Sequence, residues 1–260
     1  HDVCTNGIGY VDLMFKTDSI APEQIPYLGL LKSVLGYVDT EHYTYGELFN
    51  EINANTGGIN CGVEVFDRAD STEEFQAMFS VRGKALYTKM DFLFKMIGEI
   101  LNSSKLEDTK RLYEIVASVK SRAQVNLTGA GHSTAVLRAA AYSSPMAAFQ
   151  DEMAGIGYYQ FIEKLEKDFE QRKEETVEEL CKLMKKILRP ENFMISYTGE
   201  RESLETVQKL AGTVKAGLGT EPVEKSKEKL TCTKKNEGFK TSGQVQYVAQ
   251  TGNFLSLIHI

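Results

Sequence analysis

The stretch "YLGLLKSVLGYVDTEHYTYGEL" (residues 27–48) decides how this chain is read. Leu28, Leu31, Val34, Leu35 and Val38 recur at three- to four-residue spacing, which predicts an amphipathic helix running to about Val38. Pro22 and Pro26 stand where a helix can begin, because proline is tolerated in a first turn. Leu48, Phe49 and Ile52 predict a second helix over about 45–54. It stops at "NTGG", where Gly57 or Gly58 can supply a left-handed cap. Between the helices sits a Glu41–His42 pair, and Glu beside His raises the question of a zinc site. Such a site needs three converging protein ligands, usually with two histidines one helical turn apart. The four histidines, His1, His42, His132 and His259, include no such pair. His42 is therefore read as a surface residue beyond a helix end.

On either side of this stretch lie strands. "GIGYVDLMFKT" (7–17) and "INCGVEVF" (59–66) have β-type composition, and Phe75, Ala77, Phe79 and Val81 alternate with polar or flexible neighbours over 75–81. The chain then turns helical. Residues 86–101 and 110–127 are long amphipathic segments, followed by the small-residue helix "GAGHSTAVLRAAAYSSP", read as closed by Pro145. Tyr158, Phe161, Ile162, Leu165 and Phe169 share one face of the next helix. Val177, Leu180, Cys181, Met184, Ile187 and Leu188 share a face of the one after, ended by Pro190. "NFMISYTGE" reads as a strand and "SLETVQKLAGTVKAGL" as a last helix. Strands too few for regular alternation with helices imply α+β architecture: an antiparallel β-sheet with helices packed mainly on one face. The organisation expected is one domain over 1–218, a polar Lys/Glu-rich linker over 219–238, and a strand, "GQVQYVAQTGNF", within 239–260.

Composition narrows the function classes. The chain has 260 residues, 42% of them hydrophobic, enough for one large domain or one and a half ordinary ones. A net charge of -6 and a pI near 5.4 disfavour a nucleic-acid partner, which would call for a basic face. No apolar run approaches the roughly 20 residues that cross a membrane, and no charged-then-apolar start reads as a signal peptide. The four cysteines, far apart and without a C-x-x-C, read as small buried apolar residues of a reducing, intracellular compartment, cytoplasmic or organelle matrix.

Motif chemistry yields no catalytic constellation. "TGAGHST" (128–134) lacks the third glycine of a dinucleotide loop and the Gly-Lys-Ser/Thr of a Walker loop, and is read as a helix–helix connection. His132 beside Ser133 has no G-x-S-x-G elbow around it. "NLT" and "NSS" match glycosylation acceptors only by a frequent accidental pattern.

The order of the pieces carries more than any one of them. "CTNGIGYVDLMF", "IPYLGLLKSVLGYVDTEHYTYGELFNEINANTGGI", "GHSTAVLRAAAYSS…GIGYYQFIEKL", "NFMISYTGE" and "GQVQYVAQTGNF" together resemble the second half of a presequence-protease-type zinc metallopeptidase of the pitrilysin/insulinase (inverzincin) group. The resemblance covers nearly the whole chain. It implies four related α+β domains arranged as two halves around a closed chamber. Zinc is expected in the catalytic domain of the parent protein, held by H-x-x-E-H on the helix after the first strand, with the Glu as general base. At the matching place here stand Tyr27, Leu30 and Leu31, which cannot hold a dication, so this fragment itself is expected to carry no cofactor and to be inactive alone. The Arg- and Tyr-bearing R-x-x-GGAYG-like segment of the fourth domain is absent, and the closing "LSLIHI" departs from the pattern.

The function implied is that of a non-catalytic domain of a peptide-degrading enzyme, supplying chamber wall and substrate contact. Its partners would be the N-terminal catalytic half of the same protein and peptide substrates, with no nucleic acid and no membrane. The alternative is a structural or scaffolding subunit of the same fold with no protease role. The site candidate is the edge strand that pairs with substrate backbone by β-augmentation, represented here by Gly58, Ile59, Asn60, Cys61 and Gly62.

Overall fold

The computed structural model describes residues 1–223, 226, 228, 230–241 and 244–253. The first strand, β1 (Ile8–Lys16), is launched by a turn in which Asn6 and Gly7 both take left-handed backbone, φ 52° and 80°, and Ile8 N–H closes on Thr5 O at 3.3 Å. This is the physical use of "TNG": asparagine and glycine are the residues that tolerate that conformation.

Next comes α1 (Ile25–Val34), whose Ile25, Pro26, Tyr27, Leu28, Gly29, Leu30, Leu31 and Val34 are all buried. A helix buried nearly all round lies inside the molecule rather than on its surface. It ends earlier than the apolar spacing predicts. Leu35 is already extended and Gly36, at φ +86°, turns the chain, so Val38 reaches the core from a loop. Then α2 (Tyr45–Asn55) is capped by Thr44, which accepts from Glu47 N–H while Glu47 returns a carboxylate to Thr44 N–H. Its C-cap is extended Thr56. The left-handed residue is Gly58, at φ +103°, and it leads into β2 (Ile59–Arg68) instead of capping the helix.

Strand β3 (Ser71–Leu86) is longer than the alternation over 75–81 suggested. It is sandwiched between two partners, and backbone pairing extends it through residues whose side chains give no strand signal. Helices follow: α3 (Met90–Ser103), α4 (Thr109–Gly129), α5 (Gly131–Ala140), α6 (Pro145–Ala154), α7 (Ile156–Lys167) and α8 (Phe169–Ile187). Pro145 does not close α5. It is the first residue of α6, with Ser144 as N-cap accepting from Ala147 N–H at 3.3 Å. Strand β4 (Phe193–Thr198) and α9 (Leu204–Ala216) complete the described elements.

The sheet runs β2-β3-β1-β4, antiparallel throughout, so β2 and β4 are its edges. Along β1, Val11, Leu13 and Phe15 point to the helices, with Val81 and Phe79 beside them from β3. On the other face lie Tyr10, Asp12, Arg82, Lys84 and Asn60, where Arg82 bridges Asp12 at 2.8 Å and Glu64 at 3.2 Å. The fold is thus α+β, with helices on the apolar face of an antiparallel sheet.

The strand expected within 239–260 is not formed over 244–253, which runs irregularly. A lone strand has no neighbour for its backbone groups, and no free sheet edge takes it here. It docks by side chains: the Tyr247 ring lies against Gly131 and 6.2 Å from the His132 ring, and Asn253 donates to Ser143 O at 2.9 Å. Residues 243 and 254 and the closing "LSLIHI" lie outside the described residues.

Candidate functional site

Tyr27, Leu30 and Leu31, the residues the sequence reading sets against the zinc motif, all sit in α1 and pack in the core. Leu30 and Leu31 are fully buried. Tyr27 rests edge-on against Phe161 at 4.8 Å, and its hydroxyl donates to Glu175 at 3.2 Å and accepts from Arg172 at 2.8 Å. Burial first, and then the neighbouring glutamates working against Arg172, push its phenol up to about 12. An aromatic and two leucines offer no ligand set for zinc. Glu41 and His42 lie elsewhere, pinned to α3: Glu41 N–H donates to Ser103 O at 3.0 Å, and His42 Nδ1 lies 3.0 Å from a Glu99 carboxylate oxygen. Among the described residues no three His, Cys, Asp or Glu side chains gather as a metal cluster. His132 and Ser133 stand at the start of α5, where His132 faces Tyr247.

The second candidate, Gly58 to Gly62, lies at the sheet edge. A cleft of about 570 Å³ touches every residue from 58 to 64 in succession. Side chains of a strand alternate between the two faces, so a cleft that meets seven consecutive residues must run along the strand's margin. Alternate residues of an edge strand turn their N–H and C=O groups away from the sheet. Among the described residues, nothing hydrogen-bonds those groups in Ile59 to Glu64 from outside the sheet. Gly62 keeps one side of the strand low, and a Cβ there would come within 3.2 Å of Ser80 Oγ. Burial pushes the Cys61 thiol up to about 12, away from the thiolate form.

The opposite wall was not singled out by sequence motifs. It is built by Lys32, Ser33 and Leu35 at the end of α1, Tyr37 and Gly36 in the turn, Phe49 of α2 and Arg122 of α4. Tyr37 and Phe49 are half exposed, at 50% and 56%. Lys32 is half-buried, and desolvation lowers its ammonium pKa. The one available signal was its isolation as the sole charge in "IPYLGLLKSV". The arrangement offers an unpaired backbone edge, aromatic surface and positive charge, the elements that bind an extended peptide.

Known proteins give this geometry its context. Residues 1–165 match the model of the family described as peptidase M-16C associated. Protein HypA of Clostridium perfringens is 34% identical over 98% of this chain, which covers 26% of that protein. Presequence protease 1, chloroplastic/mitochondrial, of Arabidopsis thaliana is 26% identical over 98% of this chain, covering 24% of that protein. Mitochondrial presequence protease of Saccharomyces cerevisiae is 29% identical over 76% of this chain, covering 20% of that protein. The chain thus spans about a quarter or less of the curated relatives it matches. A crystal structure of a conserved protein from Enterococcus faecalis V583 shares the fold, with TM-score 0.56 at 14% identity over 81% of this chain and 48% of that one. No helix among the described residues is long and apolar enough to cross a membrane. With the matched residues reaching from the turn that launches β1 through the edge strand and into α7, the chain belongs to the peptidase M-16C associated family, as a presequence-protease-like domain.

Proposed function

We propose that this chain is a non-catalytic, C-terminal-half domain of a larger, intracellular presequence-protease-like zinc metalloendopeptidase, and that it supplies a wall of the peptide-degrading chamber. Tyr27, Leu30 and Leu31 occupy the place of a lost zinc motif and serve the core instead. Peptide contact falls to the outer edge of β2, and residues 239–260 belong to the first strand of a following domain whose sheet lies further along the parent protein. The observation that carries the reading is the open margin of β2, faced along residues 58–64 by a cleft. Family membership supplies the peptidase context.

The test uses the full-length protein encoded with this segment. Proline is placed singly at Asn60 and at Cys61. Neighbouring strand residues point their N–H groups in opposite directions, so one substitution removes an outward donor and keeps the ladder intact. In that variant KM for a fluorogenic peptide rises about tenfold with kcat and Tm little changed, the signature of lost uniform binding. A full-length protein with no peptidase activity, or a folded outward-facing variant with wild-type KM, overturns the proposal and favours a structural subunit.

A further inference from the structure

The cleft beside β2 carries a charge asymmetry that a bare backbone edge does not need. Lys32 comes from α1, the most apolar of the described helices, and it lines the same cleft as residues 58–64. Among the described residues no carboxylate or carbonyl bonds its ammonium. Arg122, exposed on α4, lines the cleft as well and is likewise without an ion-pair partner among the described residues. The one carboxylate on the cleft wall, Glu64, is engaged by Arg82 at 3.2 Å. Lysines withdrawn from water normally have a partner, because desolvating an ammonium without one is costly. A lysine that merely lays its stem on apolar surface keeps its ammonium in bulk water. Lys32 is half-buried where it lines the cleft, and that burial lowers its pKa.

We infer that the cleft is a carboxylate-selecting peptide groove: an extended peptide pairs with the outer edge of β2 while one of its carboxylates, from an acidic side chain or the C-terminus, lies on Lys32 with Arg122 at the rim. The inference rests on the reading of β2 as a peptide-binding edge and adds the chemistry of what is selected. Backbone pairing alone is blind to sequence, so selectivity comes from the side chains around it. In a cleft of reduced dielectric, a carboxylate meeting an unpaired ammonium gains more than it would at an open surface. Tyr37 and Phe49 add sequence-tolerant contact beside it.

The experiment measures binding of fluorescein-labelled nonapeptides to the 260-residue chain by anisotropy at low salt. The probes are an alternating Val/Thr peptide with one central Glu and an amidated C-terminus, its Gln counterpart, and the Gln peptide with a free C-terminus. The Glu peptide, the free C-terminus, or both should bind about tenfold or more tightly than the amidated Gln peptide, and the two arms tell the sources apart. Lys32→Met should abolish the preference, Lys32→Arg should retain it, and Arg122→Gln, on the surface and harmless to folding, should reduce it. Equal binding of all three peptides, or a preference that survives Lys32→Met, overturns the carboxylate subsite and leaves the edge groove standing. No binding of any peptide overturns both. A Lys32→Met chain that binds the amidated Gln peptide as the wild type does is thereby shown to be folded.

Discussion

At the scale of single residues, α1 explains itself through Gly29 and Lys32. A Cβ on Gly29 would stand 2.7 Å from the Tyr158 ring and 2.9 Å from Met153 O. Alanine for glycine inside a helix gains about 1 kcal/mol in propensity. Pushing a methyl into a neighbouring helix's backbone costs about 1–3 kcal/mol, and a carbonyl cannot swing aside as a side chain can. Gly29→Ala is therefore expected to destabilise, with a Tm several degrees lower by calorimetry, and an unchanged or higher Tm would contradict this packing. Lys32 makes the opposite prediction. Its folded pKa is lowered by burial below the value of an unfolded lysine, so between the two the unfolded chain binds more protons and stability rises with pH. At neutral pH its charge costs stability. Lys32→Met should raise Tm at pH 7, and the gain should shrink as pH climbs toward the ordinary lysine range near 10.4. A gain that stays constant from pH 7 to pH 10 would mean that burial of the ammonium is not its source.

Elements are tied together by few buried charges, and Arg138 of α5 is the clearest. It donates to Asp151 of α6 at 2.5 Å and to Glu237 at 2.6 Å, while Asp151 also accepts from Ile156 N–H and Gly157 N–H at the start of α7. One guanidinium, 12% exposed, thus joins three helices and the polar segment that follows α9. Exposed pairs along α8, such as Lys182 with Glu178, hold no two elements together and matter less. Arg138→Gln leaves Asp151 buried with only backbone donors, and removing one partner of such a pair costs about 3 kcal/mol. Denaturant titration should show that loss. Hydrogen exchange at the amides of 244–253 should quicken in the same variant, because Glu237 no longer holds the segment before them. Wild-type exchange there would confine Arg138 to the α5–α6 contact.

For the whole molecule, the core is one cluster running from β1 and β3 through α1 to α3, α4, α7 and α8, and the described residues 244–253 touch it only from outside. Val248 is 96% exposed, and Tyr247 reaches α5 at Gly131. Deleting 239–260 should therefore lower stability by no more than about 1 kcal/mol, within the range of surface changes; a collapse of the cooperative transition would show the tail to be part of the core. This division also separates what the sequence carried from what it did not. The helix at "YLGLL", though buried nearly all round rather than amphipathic as its spacing suggested, the helices after residue 86, the "TNG" turn, the strands near 8–16, 59–68 and 193–198, and the α+β class were legible, because apolar runs, their spacing and turn chemistry are local properties. The end of α1 at Val34, the start of α6 at Pro145 and the full length of β3 were not, since each is set by a neighbour: the turn at Gly36, the Ser144 cap, a strand on either side. The segment near 244–253 has strand composition without a strand, because pairing partners are a tertiary property. So is the candidate site. "GGINCGVEV" reads as a strand, but only the sheet order makes it an edge, and only the return of α1 and α4 beside it brings Lys32 and Arg122 to the same cleft, from positions far apart along the chain.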